Sequence, residues 1–149
     1  MIRKATVRDM PDLLRMGELF INEAPYSVPY DEETCLEEYS KVLLDDGSNK
    51  WLAVAEESGQ VVGMIAGLRV PFFYNKNHYQ AMEWFWWVDK EYRKIGIGDQ
   101  LKAAYENWAT SLNVIHMSVS TMSTNKTLID KYIKDGYTLS EFSFIKEAA

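Results

Sequence analysis

The sequence predicts an α/β (α+β) chain: a mixed, mostly antiparallel sheet of about six strands with helices on both faces. Three observations carry this expectation. Short runs rich in Val, Ile, Trp and Phe take turns along the chain with stretches whose apolar residues recur every three or four positions. A glycine-containing turn joins the most aromatic strand pattern, Met82 to Val88, to the clearest helical pattern, Asp99 to Leu112. No repeat, low-complexity tract or linker divides the 149 residues, so a single domain over 1–149 with its own core is expected.

Taken in order, residues 2–6 read as a strand and Asp9 as the N-cap of a first helix. Asp12 stands in its first turn, and Leu13, Met16 and Phe20 form its apolar stripe to about Asn22. Pro25 and Pro29 keep residues 24–30 out of helix. A second helix is expected over 31–45, closed by Asp46-Gly47-Ser48-Asn49. Residues 51–56 and 60–70 pair as a hairpin across Glu57-Ser58-Gly59, and 71–77 form a polar-aromatic loop ahead of the Met82–Val88 strand. After the glycine turn, Leu101, Tyr105, Trp108 and Leu112 repeat at helical spacing and face the sheet. Residues 114–120 then alternate as a strand, 125–134 form a helix and 137–145 a last strand.

Composition narrows the function. Hydrophobic residues at 47% and charged residues at 26% are those of a soluble globular protein. A net charge of −6 argues against nucleic acid and against anionic membranes as partners, and suits a cationic acceptor such as a polyamine or a basic peptide. Cys35 is alone, so no intrachain disulfide forms, which fits a reducing, cytoplasmic location. Its expected role is a small helix-face residue, not a nucleophile. Met1-Ile2-Arg3-Lys4 lacks an apolar signal region, and no run reaches membrane-spanning length.

Tyr92-Arg93-Lys94-Ile95-Gly96-Ile97-Gly98 is where chemistry is expected. Glycines at a strand-to-helix turn let the backbone pass close to a ligand, and the helix behind them offers N–H groups and the positive end of its dipole. Arg93 and Lys94 add cationic charge, so the turn reads as a holder of phosphate. A dinucleotide loop would want a third glycine where Leu101 stands, and a P-loop would want Gly-Lys-Ser or Gly-Lys-Thr, which Gly96 does not begin.

Arg93-x-x-Gly96-x-Gly98 resembles the acetyl-CoA pyrophosphate loop of the GNAT acetyltransferase superfamily. Ile2-Arg3-Lys4-Ala5-Thr6 with Asp9 and Leu13 is similar to that family's first strand and helix. Asn125, Tyr132, Gly136 and Tyr137 have the spacing of its second cofactor segment. The resemblance implies a GNAT-like fold, acetyl-CoA (coenzyme A) as cofactor and N-acetyl transfer to an amine. The main-chain groups of Arg93, Lys94, Ile95, Gly96, Ile97 and Gly98 would hold the pyrophosphate, and those of Trp87, Val88 and Asp89 the pantetheine arm, one N–H polarising the thioester carbonyl.

By the same resemblance Tyr132 is the acid for the leaving thiolate, unless it only packs its helix. Asn125 either bonds the cofactor or caps that helix, a task Thr124 can also take. Glu83, on the central strand, is the candidate base and acceptor ligand. It stands one position away from the family's catalytic glutamate, so a β-bulge would be needed to re-aim it, and a structural or cation-binding role or a water relay stays open. His78 has a suitable pKa but is a lone loop histidine. Tyr26 and Tyr30 fall in the loop that lines the family's acceptor groove. Trp84-Phe85-Trp86-Trp87 reads first as a strand buried on both sides. No metal is implied. The chain stops soon after its last strand, where many relatives carry another, which suggests an open groove or one completed by a second subunit in a homodimer. A protein acetyltransferase (N-terminal or lysine), another acyl or aminoacyl transferase, and a non-catalytic CoA-binding or interaction module of the same fold remain alternatives.

Overall fold

Five strands are present among the described residues, 1–148: β1 (Ile2–Lys4), β2 (Lys50–Glu57), β3 (Gln60–Phe72), β4 (Asn75–Val88) and β5 (His116–Ser118). In this computed structural model they form one sheet in the order β1-β2-β3-β4-β5, antiparallel except for the parallel β4–β5 pair. The helices are α1 (Met10–Glu23), α2 (Glu32–Leu44), α3 (Ile97–Ser111) and α4 (Lys126–Lys134). The chain divides into two units, Met1–Val119 and the segment from Ser120 onward. No helix among the described residues is long and apolar enough to cross a membrane.

The first unit has a two-sided core. Leu52, Val54, Met64 and Ala66 face α1 and α2 and pack with Leu13, Met16, Tyr39 and Val42. Ala53, Ala55, Ile65 and Ala81 face α3 and pack with Ile97, Leu101, Tyr105 and Trp108. Both faces of β2 and β3 are therefore covered, which is why their sequences read as nearly continuous apolar runs.

Several boundaries differ from the sequence expectation. Asp9 precedes α1 but does not cap it. Its carboxylate turns back to the Thr6 N–H (2.7 Å) and takes both terminal nitrogens of Arg3 (2.8 Å each). The expected loop at 71–77 is mostly strand, with only Phe73 and Tyr74 in the turn. Pro71 is tolerated because β2 pairing ends at Leu68, and the N–H it lacks would point to that open side, as does the Arg69 N–H that reaches Asn49. His78 accordingly lies on β4, exposed, and not in a loop.

The second unit contains α4, whose N-cap Asn125 accepts the Leu128 N–H at 3.1 Å. Gly136, at φ +94°, ends the helix, and the Tyr137 N–H returns to the Tyr132 carbonyl at 2.9 Å. The last strand expected over 137–145 does not form. Its apolar residues Leu139, Phe142, Phe144 and Ile145 fall on both parities, so no single face could be buried.

Candidate functional site

The central feature is a fork between β4 and β5. The two strands pair only at Gln80–His116, Ala81–Met117 and Met82–Ser118, while β4 runs on to Val88. Past Met82 the edge of β4 away from β3 has no strand partner among the described residues. Asp89 N–H donates to Val62 O at 2.8 Å, which turns that N–H toward β3 and sets the alternation upstream. The main-chain groups of Trp87 face β3, and those of Trp86 and Val88 face the open edge. Of the three residues expected to hold a pantetheine arm, Val88 alone directs its N–H outward. Trp87 and Asp89 do not, and the Asp89 carbonyl accepts from Tyr92.

A bulge interrupts β4 where chemistry was expected. Gly67 pairs with Glu83 but the next residue, Ala66, pairs with Phe85, so Trp84 is the extra residue. The bulge lies between Glu83 and the glycine turn, so it changes the face of Glu83 relative to Phe85 and Trp87. Glu83 keeps the parity of Ala81 and looks to the α3 face, while Phe85 and Trp87 are turned to the α1–α2 face. There the Glu83 charge adds to burial in pushing the Tyr105 phenol up. Tyr105 donates to the Ser118 carbonyl at 2.8 Å, so Glu83 stands at the point where β5 leaves β4.

Past the strand, a short 3-10 turn over Lys90–Tyr92 leads into the glycine loop. Lys94 has φ +67° and Gly96 φ +90°, with Ile95 between them at negative φ. This alternation turns main-chain N–H groups toward one side and passes into the first turn of α3, whose N–H groups lack helical partners. The two glycines do different work. Gly96 is required by its left-handed backbone, since a Cβ there would meet nothing within 4 Å. At Gly98 a Cβ would lie 3.4 Å from the Trp86 ring, so the fold alone tolerates a side chain there. Exposed Lys94 and Ile95 border the turn, and Ile97 is buried under it.

Arg93 is not aimed freely at this turn. Its Nε donates to Val88 O at 2.8 Å, closing the last outward carbonyl of β4, and its guanidinium lies 4.6 Å above the Trp87 ring. Its terminal nitrogens donate to Glu23 at the end of α1. Asp89 acts through its side chain, accepting Trp87 Nε1 at 2.8 Å and pairing with Arg15 at 3.0 Å. Glu23 and Arg15 escaped the sequence reading. Their partners lie 70 and 74 positions away, and nothing local marks either residue.

Tyr26 is exposed in the α1–α2 connection. Tyr30 is half-buried and packs on α1, donating to Leu14 O at 3.0 Å, and burial pushes its phenol up. The Cys35 thiol is likewise pushed up by burial, which disfavours its thiolate. In the second unit, Asn125 is occupied as a cap through Oδ1. Tyr132 is buried, its ring centroid 5.7 Å from that of Tyr137.

Comparison with known proteins accords with this architecture. The sequence profile described as "Acetyltransferase (GNAT) family" matches residues 13–137. No curated protein matches the sequence. Among solved structures, a possible acetyltransferase from Clostridium difficile 630 superposes with TM-score 0.78 at 19% identity, covering 100% of this chain and 97% of that one. AAC(6')-Iy, in complex with the bisubstrate analogue CoA-S-monomethyl-acetylneamine, gives TM-score 0.79 at 16% identity, with coverage of 100% and 97%. The aminoglycoside acetyltransferase meta-AAC0020 from an uncultured soil metagenomic sample, in complex with sisomicin, gives 0.71 at 20%, with coverage of 100% and 95%. At these identities the likeness is one of fold.

Proposed function

Because the chain belongs to the GNAT acetyltransferase family, we propose that it is an acetyl-CoA-dependent N-acetyltransferase that passes the acetyl group directly to a primary amine in a ternary complex. The observation that carries this reading is the continuity of fork and turn. An outward Val88 N–H, on an edge without a strand partner among the described residues, leads through the Lys90–Tyr92 turn to Lys94 and Gly96, whose left-handed backbones open a 15-residue helix. An extended arm can add to the first as a strand would, and a pyrophosphate suits the second. The family match spans residues of both units, which supports one domain acting as a whole.

A thioester supplies an acyl group with a thiolate to leave. The chain's own residues have the complementary tasks. The Lys94–Gly98 turn holds phosphate through main-chain N–H groups. Val88 N–H orients the arm or polarises the carbonyl; a fixed donor in that role is worth about 3 kcal/mol in the transition state. Glu83, directly or through water, takes the proton that an alkylammonium must lose, and Tyr132 returns one to sulfur. The acceptor we favour is a small molecule. A net charge of −6, exposed Tyr26 and the aminoglycoside acetyltransferases among the fold neighbours support it.

Thiol release from acetyl-CoA, measured over pooled polyamines, aminoglycosides, amino acids and peptides, tests this, with mass spectrometry of the products. A small-amine product is expected, and Glu83→Gln should lower turnover. Acetylation confined to peptides would replace the acceptor class. Binding of acetyl-CoA without transfer to any amine would replace the enzyme by a cofactor-binding module.

A further inference from the structure

The charge beside the glycine turn is arranged against its task. Three cations, Lys90, Arg93 and Lys94, stand within five residues of one another at the place expected to take phosphates. Glu23 claims two of them. It receives Arg93 in a bidentate pair at 2.8 and 3.2 Å and Lys90 at 3.6 Å. Three of the five guanidinium donors of Arg93 are thereby committed, one to Val88 O and two to the carboxylate. Glu23 and Lys90 also border a cleft of about 510 Å³ with Leu19, Trp87 and Asp89.

A structural role alone explains little here. The Arg93 and Glu23 side chains are 35% and 42% exposed, and pairs this open to water add little to stability. The effect on an incoming anion is larger. A carboxylate on Arg93 lowers the potential that phosphate oxygens meet and occupies the donors they would use.

We infer that Glu23 is a positioning residue that competes with the cofactor's phosphates for Arg93 and Lys90, loosening the hold on coenzyme A so that the product leaves after transfer. This rests on the acetyl-CoA reading above. It assigns to the end of α1 a part in cofactor release that its sequence does not announce.

Calorimetric titration of coenzyme A and acetyl-CoA into the full chain tests it. Glu23→Gln keeps the shape and removes the charge; it should tighten both ligands about three- to tenfold, with a steeper dependence on salt. Glu37→Gln makes the same change in net charge on α2, where Glu37 pairs with Lys41 at 2.8 Å, and should leave affinity within about twofold of wild type. Adding Arg93→Gln to Glu23→Gln should abolish the gain. Unchanged or weaker binding by a Glu23→Gln protein that melts like the wild type would overturn the inference while leaving the acetyl-CoA reading intact. Failure of the wild type to bind either ligand would overturn that reading and this inference together.

Discussion

The indole of Trp108 fills the space in which a side chain at Gly67 would stand: a Cβ at Gly67 would come within 2.4 Å of the ring. Trp108 has little freedom to yield, since Nε1 donates to Gly47 O at 2.7 Å and the ring stacks on Trp51 at 5.4 Å. Gly67 pairs with Glu83 across the strand, so α3 presses on the sheet directly opposite the candidate base. Gly67→Ala should therefore cost about 1–3 kcal/mol of stability through overpacking. Urea denaturation reads this, and an unchanged midpoint would contradict the close contact.

The two glycines of the turn make opposite predictions. Gly98→Ala adds a methyl at ordinary distance from Trp86 in the first turn of α3, so thermal stability should hold or rise slightly. Acetyl-CoA affinity should nevertheless fall at least about tenfold if phosphate approaches the backbone there. Gly96→Ala should cost about 1 kcal/mol in the fold itself, because φ +90° disfavours any Cβ. Melting curves and titrations on the same two variants separate the effects.

Acid should weaken the first unit at Asp9. The Arg3 guanidinium, helped by the Thr6 N–H, holds this carboxyl below the usual aspartate range. The stabilisation is complete above the unfolded value, about 3.9, and fades as pH falls below it and through the lower folded value. Stability measured between pH 6 and 3 should drop toward the acid end. Asp9→Asn should lose about 2 kcal/mol at neutral pH and flatten that part of the curve.

Tyr132→Phe should reduce kcat by about 100-fold with acetyl-CoA affinity little changed, if the phenol protonates the thiolate. A pure packing role predicts the reverse: unaltered turnover with at most a small change in melting temperature.

How much of this was legible in the sequence differs from element to element. The strand–glycine turn–helix passage could be read because Gly96 and the stripe of Leu101, Tyr105 and Trp108 are local signals. The second helix was expected over 31–45 from its closing turn signal, and Asp31 caps it, accepting from the Thr34 N–H. Asp9 misled because its strongest partner, Arg3, lies upstream, and a carboxylate drawn to a guanidinium leaves the helix it precedes. The strand expected at 137–145 failed for want of one apolar face. At the site, the turn was visible, but the employment of Arg93 was not. Its partner is a helix end 70 residues away, and no spacing rule reaches that far.

The extra residue in β4 also sets which sequence changes this chain can absorb. Ala81 and Glu83 share one face of the sheet, yet Phe85 and Trp87, of the same parity, serve the other. Trp84, the unpaired residue between them, absorbs that change of parity. Exchanging Trp84 for another side chain changes one exposed surface. Deleting it would take out the bulge: Phe85 would follow Glu83 in plain alternation, so Phe85 and Trp87 would stay in the α1–α2 layer and Trp86 and Val88 in the α3 layer, with Gly67–Glu83 and Ala66–Phe85 as successive pairs.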